Sequence, residues 1–153
     1  MSFIPNIEVV PMKDVPVKAS PISQEPLRPL VMVVDDERVI ADTLSVILRK
    51  NGFDVVTAYN GEQAMTLALE TVPDLLLSDV MMGPGIDGTE LAIEIVRTYP
   101  ACKVLLFSGH AATRELLGKA RAAGHNFTLL AKPLHPSDLL ARLSETFSRP
   151  VVA

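Results

Sequence analysis

The chain has 153 residues with 48% hydrophobic and 21% charged, a balance that suits one soluble globular domain and excludes a mainly disordered chain. Its net charge of −4, the absence of any Lys/Arg-rich run, and a supply of no Trp, two Tyr and five Phe argue against direct binding of nucleic acid. Cys102 is the only cysteine, the start Met1-Ser2-Phe3-Ile4-Pro5 lacks the pattern of a secretory signal, and the apolar run Leu30 to Val34 is far shorter than the roughly 20 residues of a membrane span. A cytoplasmic protein without membrane insertion is expected.

Residues 1–29 hold six of the 12 prolines, spaced about every five residues, with Lys13, Lys18 and Arg28 balancing Glu8, Asp14 and Glu25. Proline at that density fixes φ and removes N–H donors, so this segment reads as a disordered, semi-rigid extension. Ile7, Val9 and Val10 alternate enough to keep an extended docking segment in view. From Leu30 the pattern becomes regular. Leu30 to Val34 reads as a strand buried on both faces and ended by Asp35-Asp36. Ile40, Leu44, Ile47 and Leu48 repeat at helical spacing up to the Asn51-Gly52 stop. A second strand runs from Phe53 to Tyr59, and Asn60 caps the next helix with Gln63 at the capping-box position. Leu75-Leu76-Leu77 forms a third strand ended by Ser78-Asp79. A Gly83-Pro84-Gly85 loop precedes a helix from about Thr89 to Tyr99. The fourth strand, Val104 to Phe107, ends in Ser108-Gly109, and an alanine-rich helix then runs to about Ala123. Phe127 to Ala131 is the fifth strand, ended by Lys132-Pro133, and Pro136 opens a last helix with Leu139, Leu140, Leu143 and Phe147 on one stripe. Five strands alternating with five helices predict a doubly wound α/β domain over residues 30–149, with a parallel sheet and residues 150–153 as a short tail.

In such sheets reactive groups gather beyond the carboxyl ends of the strands, near the point where strand order reverses. Those ends carry Asp35, Asp36, Asp79, Ser108 and Lys132. With the order 2-1-3-4-5, strands one and three are neighbours and the three carboxylates converge. Three ionised carboxylates at close range call for a cation, and hard oxygen donors with room for water suit Mg²⁺. Lys132 adds a compact positive charge for a phosphoryl oxygen, Ser108 a rotatable hydroxyl, and Asp79 an oxygen nucleophile able to form an acyl phosphate. Taken singly, each has a plain structural reading. Asp36 before Glu37-Arg38 is a helix cap, Ser108-Gly109 a turn, and Lys132-Pro133 a solvated loop. It is their joint placement that points to phosphoryl transfer.

With those segments in hand, the chain resembles the receiver domain of bacterial two-component response regulators. The resemblance rests on Val31 to Glu37, Leu75 to Met82, Ile86-Asp87-Gly88, Leu105 to Gly109 and Lys132-Pro133, and covers about Leu30 to Phe147. It implies a flavodoxin-like fold with Asp79 as phosphoacceptor, and with Asp35, Asp36, Asp79 and the Met81 backbone carbonyl holding Mg²⁺. It further implies Ser108 as the switch hydroxyl and Lys132 as the phosphate-contacting lysine. The donor it implies is a sensor histidine kinase or histidine phosphotransfer protein, and the partner surface is the face of helix four, strand five and helix five. A downstream protein target is expected but not named by the sequence. The chain departs from the family in two places. Gly83 lengthens the loop before Pro84 by one residue, and Leu129 stands where an aromatic switch residue is usual, with Phe127 nearby as a substitute. Met81 and His110 occupy positions that influence dephosphorylation in the family.

The three histidines, His110, His125 and His135, lack metal-ligand spacing and read as solvated, while Met65, Met81 and Met82 read as packing residues. Only six residues follow Phe147, so a stand-alone receiver with no output domain is expected, catalysing nothing beyond its own phosphotransfer and dephosphorylation. The competing reading is an aspartyl-nucleophile phosphatase acting on a small phosphorylated substrate. That chemistry typically uses a second aspartate two residues after the nucleophile, where this chain has Met81. A third reading, an inert binding module, leaves the intact acidic pair, acceptor and lysine without a purpose.

Overall fold

The short apolar runs become strands because their β-branched and leucine side chains are covered on both sides. In the computed structural model, which describes residues 28–109 and 113–147, the strands are β1 (Leu30–Val34), β2 (Asp54–Ala58), β3 (Leu75–Asp79), β4 (Lys103–Ser108) and β5 (Thr128–Ala131). They alternate with α1 (Arg38–Lys50), α2 (Gly61–Glu70), α3 (Gly88–Thr98), α4 (Thr113–Ala122) and α5 (Pro136–Thr146). All pairings are parallel, in the order β2-β1-β3-β4-β5. The doubly wound sheet expected from the sequence is therefore the fold, with strand ends shifted by a residue or so.

Side-chain alternation divides the core into two layers. Val31 and Val33 of β1 join Leu75, Leu77, Leu105 and Phe107 under α1 and α5, which contribute Leu44, Leu48, Leu139 and Leu143. Met32 and Val34 face the other way, with Leu76, Leu106 and the Ala64, Ala68, Leu91 and Ile95 stripe of α2 and α3. Each of these leucines is essentially free of solvent contact, so truncating one to alanine costs about 2–5 kcal/mol. Burial is uneven across the sheet. Every residue of β3 is buried, whereas in β5 Thr128, Leu129 and Ala131 are exposed and only Leu130 is half-covered.

The caps depart from the sequence at two helices: the N-cap of α1 is Glu37, with no side-chain hydrogen bond, rather than Asp36, and the box at α2 is incomplete. Asn60 accepts from the Gln63 N–H, but the Gln63 side chain reaches past Asn60 to accept from the Tyr59 N–H. The full reciprocal box occurs instead at α3, between Asp87 and Glu90. Arg28 and Pro29, which the sequence assigns to the extension, are tied to the sheet. Arg28 pairs with Asp54 at 3.0 Å and donates to the carbonyls of Arg49 and Phe53, while the Pro29 carbonyl accepts from the Asp54 N–H. The rest of the extension, the tail from 148 and His110 lie outside the described residues. Of the other histidines, His125 stacks on Phe127 at 5.8 Å and is half-buried, while His135 is exposed at the N-cap of α5. Met82 is buried, and Met65 and Met81 are partly buried against the same core layer.

Candidate functional site

Register carries the reactive side chains to one edge. Val34 pairs with Ser78 across β1 and β3, so the next residues, Asp35 and Asp79, emerge side by side. Asp79 pairs with Phe107, so Ser108 lies one step beyond it on β4, and Ser108 pairs with Ala131, which puts Lys132 at the end of β5. Backbone bonds extend the sheet past its last pairs: Asp35 N–H to the Ala58 carbonyl, Val80 N–H to Phe107, and Lys132 N–H to Ser108. Lys132 leads into Pro133 through a cis peptide bond.

The three carboxylates offer oxygens that all lie within 4.8 Å of one another. Asp35 and Asp79 are buried and Asp36 is exposed, so the cluster has a closed floor and an open rim. Lys132 Nζ donates to Asp79 Oδ2 at 3.1 Å and stands 3.7 Å from Asp35 Oδ2, above the Phe107 ring. Asp35 Oδ1 accepts from the Glu37 N–H at 2.9 Å, which seats the start of α1 on the acidic pair. Asp35 Oδ2 and Asp79 Oδ1 have no hydrogen-bond partner although both are buried. Buried carboxylate oxygens left in this way are costly unless something further satisfies them. The donor set fits a hard divalent cation: oxygen-only, triply acidic, with two buried oxygens that accept no hydrogen bond and one side open to water.

Electrostatics agree. Burial pushes Asp35 from its ordinary 3.8 up to about 6, with the neighbouring Asp79 adding to the rise and the Glu37 N–H and Lys132 opposing it. Burial likewise raises Asp79, against the hydrogen bond and charge of Lys132. Burial alone would lower Lys132, but its hydrogen bond to Asp79 and the charges of Asp79, Asp35 and Glu37 raise it overall. Carboxylates held above their usual range and a lysine held firmly protonated mark a site short of positive charge.

Ser108 is buried, and its hydroxyl shares a 2.5 Å hydrogen bond with Thr113 at the start of α4. Leu129 is 38% exposed on the edge strand, and Met81 is partly buried on the loop after β3. That loop closes tightly at its base. The Gly88 N–H bonds the Val80 carbonyl at 2.8 Å, and a Cβ at Gly88 would overlap the Asp79 carbonyl oxygen, so glycine is required where α3 starts. Among the residues around the site, the sequence alone had no signal for Thr113 or for Glu62, whose contacts depend on loops folding back.

Residues 31–144 match the response regulator receiver domain family. The chain belongs to that family. A receiver is also what the solved structures resemble. A CheY-like receiver domain protein of Methanospirillum hungatei superposes with a TM-score of 0.72 at 24% identity, over 80% of this chain and 95% of that one, and shares the fold. The two component transcriptional regulator AraC of Clostridium phytofermentans is 32% identical, with a TM-score of 0.68 over 78% of this chain and 93% of that one. The CheX–CheY–BeF3–Mg²⁺ complex of Borrelia burgdorferi is matched at 26% identity and a TM-score of 0.67, over 77% of this chain and 88% of that one. No helix of this receiver, among the described residues, is long and apolar enough to cross a membrane.

Proposed function

We propose that this receiver accepts a phosphoryl group on Asp79, from a histidine kinase or a histidine phosphotransfer protein, and signals by binding a protein target differently in the two states. The observation that carries the reading is the unengaged Asp79 Oδ1, buried within the acidic cluster while Lys132 holds the other oxygen of the same carboxylate. That arrangement supports a fixed nucleophile with one free oxygen. In the reaction Asp79 Oδ1 attacks phosphorus, the P–N bond to the donor imidazole breaks, and the electron pair leaves with the imidazole nitrogen, which takes up a proton. The product is an acyl phosphate on Asp79.

Asp35, Asp36 and Asp79, with the Met81 carbonyl as resemblance implies, would hold Mg²⁺, which neutralises charge on the phosphoryl oxygens when bound. Lys132 lies within reach to hold another of those oxygens by charge. Ser108 then exchanges Thr113 for the phosphoryl group, since a hydroxyl gains more from an anionic acceptor than from a neutral one. The ends of β4 and β5 follow. The half-exposed β5 and its neighbouring helices α4 and α5 form the proposed target-binding face, in the cytoplasm, and the chain performs no chemistry beyond its own phosphotransfer and dephosphorylation. A phosphatase acting on external substrates finds less support, because partly buried Met81 stands where its acid/base aspartate belongs.

The test is incubation with acetyl phosphate and Mg²⁺, read by intact mass. The wild-type protein gains one alkali-labile phosphoryl group, and Asp79→Asn gains none. An Asp79→Asn variant that is phosphorylated to the wild-type level refutes the assignment.

A further inference from the structure

The loop between β3 and α3 is tied at both feet, Val80 to Gly88, so the position of its tip depends on whatever grips the middle. The grip comes from the start of α2. A Cβ at Gly61 would collide with Ile86 Cγ1, which means that Ile86 sits directly on the first residue of that helix. The next residue, Glu62, takes the loop from the other side. Its Oε2 accepts from the Ile86 N–H at 3.4 Å, and its carboxylate lies against Gly85, where a Cβ would come within 2.9 Å of Oε1. Gly85 has a φ of +98° and Gly83 a φ of +67°, so the tip takes a course that residues with side chains rarely follow. That course brings Gly83 against the open rim of the acidic cluster: a Cβ there would be 3.4 Å from Asp36 Oδ2. One extra glycine in the loop thus fills the space beside the only exposed carboxylate of the three.

We propose that Glu62, with Ile86 seated on Gly61, latches this loop against Asp36, making Glu62 a positioning residue for cation binding and for the lifetime of the phosphoryl group. The inference rests on the proposed role of the acidic cluster. Glu62 touches neither the cluster nor the phosphoryl site. It acts by holding the tip where Gly83 limits the freedom of the Asp36 carboxylate and narrows the approach of water along that side of the pocket. Without the grip, the tip swings on its glycines, Asp36 loses its wall, and water gains an approach to the acyl phosphate.

The test uses the full chain and two independent readouts. Calorimetric titration with Mg²⁺ alone should show Glu62→Ala binding about fivefold more weakly, the loss expected when one modest hydrogen bond stops ordering a ligand. Loss of phosphate from acetyl-phosphate-treated protein, followed by intact mass, should be faster by a similar factor. Glu62→Gln keeps an oxygen acceptor for the Ile86 N–H and should stay within about twofold of wild type in both, whereas Ile86→Ala should reproduce the Glu62→Ala behaviour. Because Glu62 is exposed, the thermal midpoint of Glu62→Ala should fall by only a few degrees. Mg²⁺ affinity and phosphate lifetime both within twofold of wild type in Glu62→Ala overturn the latch. Failure of the wild-type chain to bind Mg²⁺ or to become phosphorylated overturns instead the reading on which the latch rests.

Discussion

The clearest energetic consequence of the site is that its floor opposes folding. Asp35 is fully buried, and its carboxyl is raised from 3.8 to about 6. A carboxyl with a higher pKa in the folded than in the unfolded chain binds more protons when folded. Its stability contribution is therefore greatest below about pH 4 and falls as pH rises through about 6. Above that the full cost is present, and the two-unit rise corresponds to about 3 kcal/mol, already net of the attraction to Lys132. Asn at this position is uncharged and still offers an oxygen to the Glu37 N–H. Asp35→Asn should accordingly stabilise the protein at pH 8, by up to about 3 kcal/mol, with the gain fading to near zero at about pH 4. Urea unfolding in the presence of a chelator, at pH 8, 6 and 4, measures the gain directly. Adding Mg²⁺ should then stabilise the wild type far more than the variant, since a ligand of the folded state stabilises in proportion to its affinity. If Asp35→Asn is no more stable than wild type at pH 8 without metal, or if its gain does not depend on pH, burial of this carboxylate is not the strain described here.

Lys132→Met removes the cation shared by Asp79 and Asp35, and should destabilise at pH 8 by less than the ~3–5 kcal/mol of a fully buried pair, because the lysine is partly exposed. The loss should shrink as pH falls and the raised carboxyls of Asp35 and Asp79 take up protons; a loss independent of pH in urea unfolding contradicts this. Thr113→Val takes away one resting hydrogen bond of Ser108, and at about 1 kcal/mol for that bond should tighten beryllofluoride binding about fivefold; unchanged affinity rejects the exchange of that bond. Gly88→Ala forces a Cβ into the Asp79 carbonyl oxygen and should lower the thermal midpoint by at least about 5 °C, and an unshifted midpoint would mean that α3 docks less closely than described.

The parts of this protein that were legible in its sequence are those that local physics decides. Runs such as Leu30 to Val34 and Leu75 to Leu77 are too apolar to be anything but buried, and the residue after each run falls at a strand end whatever the loops do. That is why the sequence alone places Asp35, Asp79, Ser108 and Lys132 together at the strand ends. Contacts made by loops that fold back were not legible. Gln63 at a capping-box position reaches Tyr59 rather than its own N-cap, because the incoming strand leaves the Tyr59 N–H within reach. Glu62 lies in the first turn of α2, where the helix dipole favours an acid, and Thr113 is the first residue of α4. Their partners, Ile86 and Ser108, are set by tertiary approach. Arg28 likewise reads as part of a proline-rich extension until the Arg49 and Phe53 carbonyls and Asp54 gather around it.

The unequal burial of the strands separates what must stay still from what can move. Asp35 and Asp79 grow from β1 and β3, in the middle of the sheet, where displacement would open both core layers at once. Ser108 ends β4, whose Leu105, Leu106 and Phe107 are packed in the core, whereas Lys132 follows the thinly covered β5 at the edge of the sheet, where a shift disturbs few packed side chains. Such a sheet behaves as an anvil with a hinged edge. In the proposed phosphorylation cycle the acid groups would keep their mutual spacing, while the cost of responding would fall on a four-residue strand with little packing to lose.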